Sequence, residues 1–302
     1  MSSIVKRMPS RPRPLSLTPV IVLMRLPIRL SLFVRVWSRK NFPYVTMALE
    51  PLCSCQEKSS VTLPKNRIKQ MKRLGLIGGT SWHSTIEYYR IINQKTNDHF
   101  GNNTNPPLLL FNLNQALVHR FQIENNWEGV AELVVEGGRR LVAAGAEAVM
   151  FCANTPHKVF ESVEQQIDVP ILHIADATAQ EIQKQGLDAV GFIGTKFSMN
   201  EDFVTGRIAQ NEIRVLVPEK MERRNELHRI IQQELTFGQV KPDSKRYVLD
   251  SIELMCAEGA KGIVLGCTEF PLMISTDDLT IPIFNTTEIH ALAAVEFVLG
   301  TA

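Results

Sequence analysis

Short, uniformly apolar runs alternate with longer amphipathic stretches between residues 71 and 299. Uniformly apolar strands separated by helices are typical of parallel sheets that are covered on both faces. The pattern therefore predicts an α/β fold of two doubly wound domains, with ligands at the carboxyl ends of the strands. The predicted strands are Leu74–Ile77, Leu108–Phe111, Ala148–Phe151, Ile171–Ile174, Ala189–Ile193, Arg214–Val217, Gly262–Leu265 and Ile281–Phe284. The predicted helices are Ser84–Asn97, Glu128–Ala144, Lys158–Gln166, Ala175–Gln185, Asn200–Gln210, Glu222–Thr236, Ser244–Glu258 and Thr287–Leu299.

Two segments of the chain occur twice, at an offset of about 115 residues, as expected of a duplicated unit. The segment 145–155 aligns without gaps on 259–269, and 74–80 aligns on 190–195. In this alignment Cys267 corresponds to Ala153 and not to Cys152. Two related halves would place equivalent loops around one shared cleft, so we expect a pseudo-symmetric active site with one thiol.

The repeat also predicts the domain organisation. Residues 71–185 form the first α/β domain and residues 186–286 the second, with the active site in the cleft between them. The last helix, within 287–302, is expected to pack back on the first domain. Residues 1–70 are excluded from the fold as an N-terminal extension that is expected to be disordered or a targeting segment.

Charge separates the extension from the rest of the chain. Residues 1–70 hold 13 Lys/Arg and two Glu, a net charge of +11, whereas residues 71–302 hold 20 Lys/Arg and 29 Asp/Glu, a net charge of −9. An acidic body without a basic stripe argues against a nucleic-acid partner. The extension is Arg-rich and acid-poor, which is typical of an organellar transit peptide. Alternatively, the natural protein starts at Met71 and the extension has no function. We therefore expect a cytoplasmic protein, or an organellar one if residues 1–70 are a transit peptide.

Membrane and metal partners are not expected. The longest apolar run of the extension, Leu15–Met24, is about half the length of a membrane span. The five cysteines do not form a metal-binding pattern, because Cys53 and Cys55 lack a partner pair. If they are buried, Cys152, Cys256 and Cys267 can serve simply as small apolar side chains.

The second repeated loop, Gly266-Cys267-Thr268-Glu269, follows a predicted strand directly. A cysteine at the carboxyl end of a parallel strand faces the ligand crevice. Backbone amides there are expected to lower its pKa from about 8.5 toward neutrality. Such a thiol can act as a nucleophile or as a general acid/base, and Glu269 is predicted to orient it or to bind a substrate ammonium.

The first repeated loop begins at Cys152. Asn154 and Thr155 carry an amide and a hydroxyl of the kind that holds a carboxylate. His157 is either a ligand group or a helix-start residue. A shift of one position in extended chain turns a side chain to the opposite face, so Ala153 is expected to line the cleft and Cys152 to point into the fold. Cys152 remains the second candidate for a catalytic thiol.

Two glycine-containing turns, 78–81 and 194–196, each connect a strand with a helix. Glycines in such turns let backbone amides approach an anionic group. Neither turn has the G-x-G-x-x-G spacing of a dinucleotide site. A carboxylate is therefore the expected anion.

Four segments together resemble the aspartate/glutamate racemase family, most closely its broad-specificity amino-acid racemase branch: 75–82 with 87–90, 154–157, 173–178 and 266–269. The resemblance covers 71–299. It implies a homodimer that acts on an amino acid without cofactor, pyridoxal phosphate included. It also implies two thiols that flank the substrate α-carbon, the second at Cys267 and the first at the position of Ala153. By the same resemblance, the candidate substrate contacts are Thr80, Gln122, Asn154, Thr155, Lys241, Thr268 and Glu269.

The alanine leaves three functions open. The first is a racemase for aspartate, glutamate or a broader set of amino acids, with slow or one-directional turnover. The second is a single-cysteine decarboxylase or isomerase of the same superfamily, in which one thiol protonates a carbanion. The third is a catalytically weak protein that binds amino acids as a sensor.

Overall fold

The computed structural model describes residues 71–301, so the expectations for residues 1–70 and for Ala302 lie outside the described part. The strands are β1 (Leu74–Gly78), β2 (Leu108–Asn112), β3 (Ala148–Phe151), β4 (Ile171–Leu172), β5 (Ala189–Gly194), β6 (Arg214–Leu216), β7 (Ile263–Gly266) and β8 (Ile283–Asn285). The helices are α1 (Trp82–Phe100), α2 (Gln115–Ile123), α3 (Trp127–Ala143), α4 (Phe160–Glu164), α5 (Ile174–Lys184), α6 (Lys196–Asn200), α7 (Asp202–Ala209), α8 (Met221–Gln233), α9 (Pro242–Ala257) and α10 (Thr286–Leu299). Within this range, no helix has the length and apolar content needed to cross a membrane.

The strands form two separate four-stranded parallel sheets with the same order. The first sheet runs β2-β1-β3-β4 and the second runs β6-β5-β7-β8. The central strands β1, β3, β5 and β7 are buried along their whole length, as expected for strands that helices cover on both sides. The prediction of an α/β fold with two parallel sheets is confirmed.

Two helices were not predicted, and three strands, β4, β6 and β8, are shorter than predicted, β4 by the most. The helices are α2 and α6, which have nine and five residues. Strand β4 ends at Leu172 because His173 caps the next helix, its Nδ1 accepting a hydrogen bond from the amide of Ala175 at 3.0 Å. Satisfying a free amide at a helix start stabilises the cap, so β4 ends two residues early and α5 begins one residue early.

Side-chain caps also fix the helix starts that follow β1 and β8. The hydroxyl of Ser81 accepts from the amide of Ser84 at the start of α1, at 3.3 Å. The Asn285 side chain does the same for α10, accepting from the amide of Thr287 at 3.2 Å. Each cap links the end of a strand to the first turn of a helix, which restricts the backbone beside the ends of the sheets.

The last helix of each half packs on the sheet of the other half. Buried residues of α5, among them Ile174 and Ile182, belong to the apolar core of the second sheet. Buried residues of α10, among them Ala291 and Ala294, share a core with Leu74 of the first sheet. The two sheets are therefore covered by helices that cross between the sequence halves, and the predicted boundary after residue 185 stays a prediction.

Candidate active site

The two repeated loops leave their sheets at equivalent positions. Phe151 of β3 and Leu265 of β7 pair with the corresponding isoleucines of β1 and β5. The residues two positions further along are Ala153 and Cys267. The strand pairing thus has the same register as the sequence repeat. Ala153 and Cys267 occupy equivalent positions in the two sheets.

A small cavity lies between these loops. Its free volume of about 80 Å³ is well below the several hundred Å³ of pockets for drug-sized ligands. Ala153 and Cys267 both line it. The structure brings eight of the predicted residues to its wall: Thr80, Gln122, Ala153, Asn154, Thr155, Cys267, Thr268 and Glu269.

The thiol of Cys267 is held by a carboxylate. Its Sγ donates a hydrogen bond to Glu269 Oε2 at 2.8 Å, and the Thr268 hydroxyl donates to the same oxygen at 2.8 Å. The Ser81 hydroxyl approaches the other oxygen of Glu269 at 3.5 Å. Only 9% of Cys267 and 8% of Glu269 are exposed, so thiol and carboxylate form a nearly dry pair at the cavity wall.

The expected lowering of the Cys267 pKa was wrong. Burial raises the pKa of this thiol well above its ordinary value, and the charge of Glu269 and the hydrogen bond to Glu269 raise it further. The backbone amides of Thr268 and Glu269 act in the opposite direction, as expected, but they are outweighed. Burial and a nearby like charge both disfavour a thiolate, so the resting group is a neutral thiol with a proton acceptor 2.8 Å away.

Cys152 follows β3 directly and points into the core. It is fully buried in an apolar cluster with Leu74 and Tyr88, and burial raises the pKa of its thiol. Its carbonyl oxygen accepts a hydrogen bond from the Ser84 hydroxyl at 2.6 Å, which ties this backbone to α1. Cys152 is not among the residues that line the cavity.

Three buried polar atoms at the cavity have no hydrogen-bond partner among the described residues. They are Oγ1 of Thr80, Oδ1 of Asn154 and Nδ1 of His228. The other side-chain atom of Asn154, Nδ2, donates to the Thr286 hydroxyl at 3.1 Å, so its amide orientation is fixed. Buried polar atoms normally find a partner, and these three are the natural contact points for a ligand or water.

His157 supports the first loop instead of lining the cavity. Its Nδ1 lies 3.0 Å from the carbonyl oxygen of Ala153 and 3.1 Å from that of Asn154. Its Nε2 accepts from the amide of Ile174 at 3.3 Å. Burial holds the pKa of this imidazole well below its usual value. A neutral ring with the proton on Nδ1 satisfies all three contacts, so His157 is a structural group that positions the loop.

Lys241 does not reach the cavity. Its Nζ lies 3.4 Å from a carboxylate oxygen of Glu234, an almost fully buried residue that also pairs with Arg229 and accepts from Ser244. The buried carboxylate attracts the ammonium, since an unpaired buried charge is costly. Of the predicted substrate contacts, Lys241 is the one that the structure separates from the others.

One glycine-turn amide has a different role from the predicted one. The amide of Gly79 donates to the Thr85 hydroxyl at 2.9 Å, so it is not free to bind an anion. Gly79 has a φ of 84°, and a Cβ there would come within 2.1 Å of the Leu113 carbonyl. This glycine is therefore required by a left-handed turn and a close backbone approach.

Several wall residues were missed from the sequence, mainly on two helices. Gln115 and His119 line the cavity from α2 beside the predicted Gln122, and His228 and Gln232 line it from α8. The spacings of four and three residues place each set on one helix face. That polar spacing was a usable signal on α8, which was predicted, but not on α2, which was not.

The comparisons with known proteins agree on one family. The sequence model of the family "Asp/Glu/Hydantoin racemase" matches residues 77–294. A candidate Asp/Glu racemase from Yersinia pestis is 39% identical over 76% of this chain and 100% of its own, with a TM-score of 0.72. An aspartate racemase homologue from Pyrococcus horikoshii is 37% identical over 76% of this chain and 99% of its own, with a TM-score of 0.67. The aspartate racemase of Picrophilus torridus is 20% identical over 76% of this chain and 94% of its own, with a TM-score of 0.59, and shares the fold.

Proposed function

Because the chain belongs to the Asp/Glu/hydantoin racemase family, we propose that it is a cofactor-independent amino-acid racemase that exchanges the α-proton through Cys267. The observation that carries this proposal is the pair of Cys267 and Glu269, 2.8 Å apart at the wall of the cavity between the repeated loops. A thiol with an adjacent carboxylate has a place to send its proton, which a general base needs. Aspartate, glutamate or a broader set of amino acids are the substrates considered.

The proposed cycle begins with transfer of the thiol proton from Cys267 to Glu269. The thiolate then removes the α-proton of the bound amino acid and leaves a carbanion. In this proposal the carboxylate of the substrate is held by the Thr155 hydroxyl and by the second hydrogen of Asn154 Nδ2, whose first hydrogen is donated to Thr286. Oδ1 of Asn154 is an acceptor for the substrate ammonium. Fixed donors in a nearly dry site stabilise developing negative charge, and this is commonly the largest catalytic contribution.

The return of a proton to the opposite face is the weak step of this cycle. Ala153 stands where a second thiol is expected, and a methyl group neither takes nor gives a proton. Loss of one general acid/base commonly costs about 10²–10⁴ in rate. A water molecule would have to deliver the proton, and the hydroxide that it leaves would take up the proton that Glu269 received from Cys267, which restores the resting pair. We propose that α-hydrogen exchange with retention of configuration outpaces racemisation.

The single thiol also supports a second candidate, a decarboxylase in which Cys267 protonates a carbanion on one face. Incubation of the protein with L- and D-amino acids in D₂O, followed by proton NMR, distinguishes the candidates. Racemase chemistry removes the α-proton signal, and decarboxylase chemistry requires a malonate-type acid. A sensor would show only an amino-acid-dependent rise in Tm, and that result would contradict our proposal.

The proposed partners are an amino-acid substrate and a second copy of the chain. Support for a homodimer comes from the family resemblance and from exposed apolar side chains, among them Ile86, Phe237 and Leu272, which are 53%, 71% and 59% exposed. Exposed apolar patches often mark interfaces between proteins. The mass of the folded protein in solution tests this assignment.

Replacing Cys152 by alanine should leave α-hydrogen exchange within a few-fold of the parent. The reason is that its sulfur is buried in an apolar core away from the cavity. We expect a loss of stability of about 1 kcal/mol, typical of a small core truncation. Exchange measured in D₂O and thermal unfolding check the two parts separately. A folded variant without exchange would mean that the catalytic thiol of this loop is Cys152.

Replacing Glu269 by glutamine should lower the pKa of Cys267, because the charge of Glu269 and the hydrogen bond to it both raise that pKa. In the parent, the thiolate appears only at a pH above the raised pKa, so the variant should form thiolate at lower pH. The rate of iodoacetamide modification at Cys267, followed by mass spectrometry as a function of pH, measures the midpoint. The midpoint should move to lower pH while α-hydrogen exchange falls, since the proton acceptor is lost.

The matched control for this charge removal is Asp277→Asn, at an exposed position of the same half of the chain. It should leave the modification midpoint unchanged. An unchanged midpoint in Glu269→Gln as well would mean that burial alone sets the acidity of the thiol.

A further inference from the structure

The wall of the cavity is polar but lacks a permanent cation. Among residues 71–301, no Lys or Arg side chain lines it, and Glu269 is the one carboxylate that does. The helices α2 and α8 contribute amides and imidazoles instead, at Gln122, His119 and His228. A ligand in this cavity meets hydrogen-bonding dipoles and one negative charge.

Cations next to these wall residues in sequence are directed elsewhere. Arg120, beside His119, is 4.0 Å from Glu124. Arg229, beside His228, pairs with Glu226 and Glu234 at 2.6 Å and 2.8 Å. Arg120 and Arg229 thus pair with carboxylates that do not line the cavity.

His228 is a neutral group at ordinary pH. Burial lowers the pKa of its imidazole to about 4, and the nearby charge of Lys196 contributes to the shift. Lys196 itself is not among the lining residues, and its Nζ lies over the ring of Phe197. The unpartnered Nδ1 of His228 is therefore an uncharged hydrogen-bonding site at the wall.

Every amino-acid substrate brings an α-carboxylate and an α-ammonium to a wall that already carries Glu269. An acidic substrate would add a third carboxylate, with no lysine or arginine of the described chain on the wall to pair with it. Burial of a charge is costly unless a partner of opposite charge accompanies it. A neutral amide or hydroxyl avoids this cost and can satisfy the polar atoms of the wall. The predicted partner for an acidic side chain, Lys241, is held by Glu234 outside the cavity.

We propose that the substrate carries a short neutral polar side chain and not a side-chain carboxylate, and that His119, Gln122 and His228 form the wall that selects it. The proposal rests on the amino-acid racemase function proposed above and names its substrate class. Asparagine and glutamine are the test substrates because they match aspartate and glutamate in size and differ in charge.

The experiment compares α-hydrogen exchange of the two amides and the two acids in D₂O at pH 8, where unperturbed imidazoles are neutral. We expect kcat/KM to be larger for each amide than for its acid by about tenfold or more, since one unpaired buried charge costs at least one charged hydrogen bond. Faster exchange of the acids would overturn the proposal and leave the racemase function intact.

A binding measurement separates the two proposals. If none of the four amino acids exchanges its α-hydrogen, the proposed racemase function is wrong. The rise in Tm with each amino acid then tests the preference for a neutral side chain by itself. A larger rise with the amides than with the acids supports it. An equal or larger rise with the acids, or no rise with either amide, contradicts it.

A variant adds the missing charge. His119→Arg places a cation on the cavity wall and should move the amide-to-acid ratio, in exchange or in Tm, toward the acids by about tenfold. The matched control is Ile123→Arg on the same helix, at a position that is 85% exposed and outside the wall. A folded His119→Arg variant with the parental ratio would mean that charge at this wall does not select the substrate.

Discussion

The Cys267→Ser variant should lose α-hydrogen exchange by a factor of about 10²–10⁴, the usual contribution of a general acid/base. Serine preserves the size and the hydrogen bond to Glu269, but a hydroxyl is a far weaker acid than a thiol. The parental thiol already has a raised pKa, so any further rise in the pKa of the group at this position removes the base altogether. The measurement is the loss of the α-proton signal by NMR in D₂O.

The control for this variant is Cys256→Ser. Cys256 belongs to α9, is only partly buried, and does not line the cavity. It should retain parental exchange. If Cys267→Ser, folded with a near-parental Tm, exchanged at the parental rate, then Cys267 would not be the proton carrier and the proposed function would lose its main support.

The Ala153→Cys variant should increase racemisation by a factor that approaches 10², the lower end of the contribution of a general acid/base. Ala153 lines the cavity and corresponds to Cys267 in the strand register. A thiol there would supply a proton to the face opposite Cys267. Racemisation is measured by polarimetry or chiral chromatography, separately from exchange.

Ala153→Ser is the matched control, because it adds a side chain of similar shape that exchanges protons poorly. It should not increase racemisation. If Ala153→Cys folds and binds substrate but racemises at the parental rate, then proton return on this face does not limit the reaction, and the asymmetric cycle is wrong.

The sequence was sufficient for the sheets and for the pairing of the two loops. Strands β1, β3, β5 and β7 are buried on both faces, so they occur in the sequence as continuous apolar runs that need no periodicity to be recognised. The duplication then related Ala153 to Cys267 directly. The helix α2 was missed because it is short and only Val118 on it is buried, which leaves a weak apolar stripe.

The chemistry of the site depended on side-chain directions that the sequence does not carry. Glu269 is two residues from Cys267, and only the turn after β7 brings its carboxylate to 2.8 Å from the sulfur. Burial of the thiol raises its pKa, contrary to the prediction, and the contact with Glu269 raises it further. In the same way, Lys241 lies at the start of α9, and its ammonium pairs with Glu234. The residue types alone do not show that Glu234 binds this ammonium in place of a substrate.

The exchanged positions of α5 and α10 have a mechanical consequence. Ile182 of α5 is buried in the core of the second sheet, whereas Val298 of α10 is buried in the core of the first. Any widening of the gap between the sheets must slide both helices along apolar surfaces, and close-packed interiors resist such sliding. Because each sheet is held by a helix from the other sequence half, we expect a ligand to enter and leave through motion of the loops at the cavity, without separation of the two sheets.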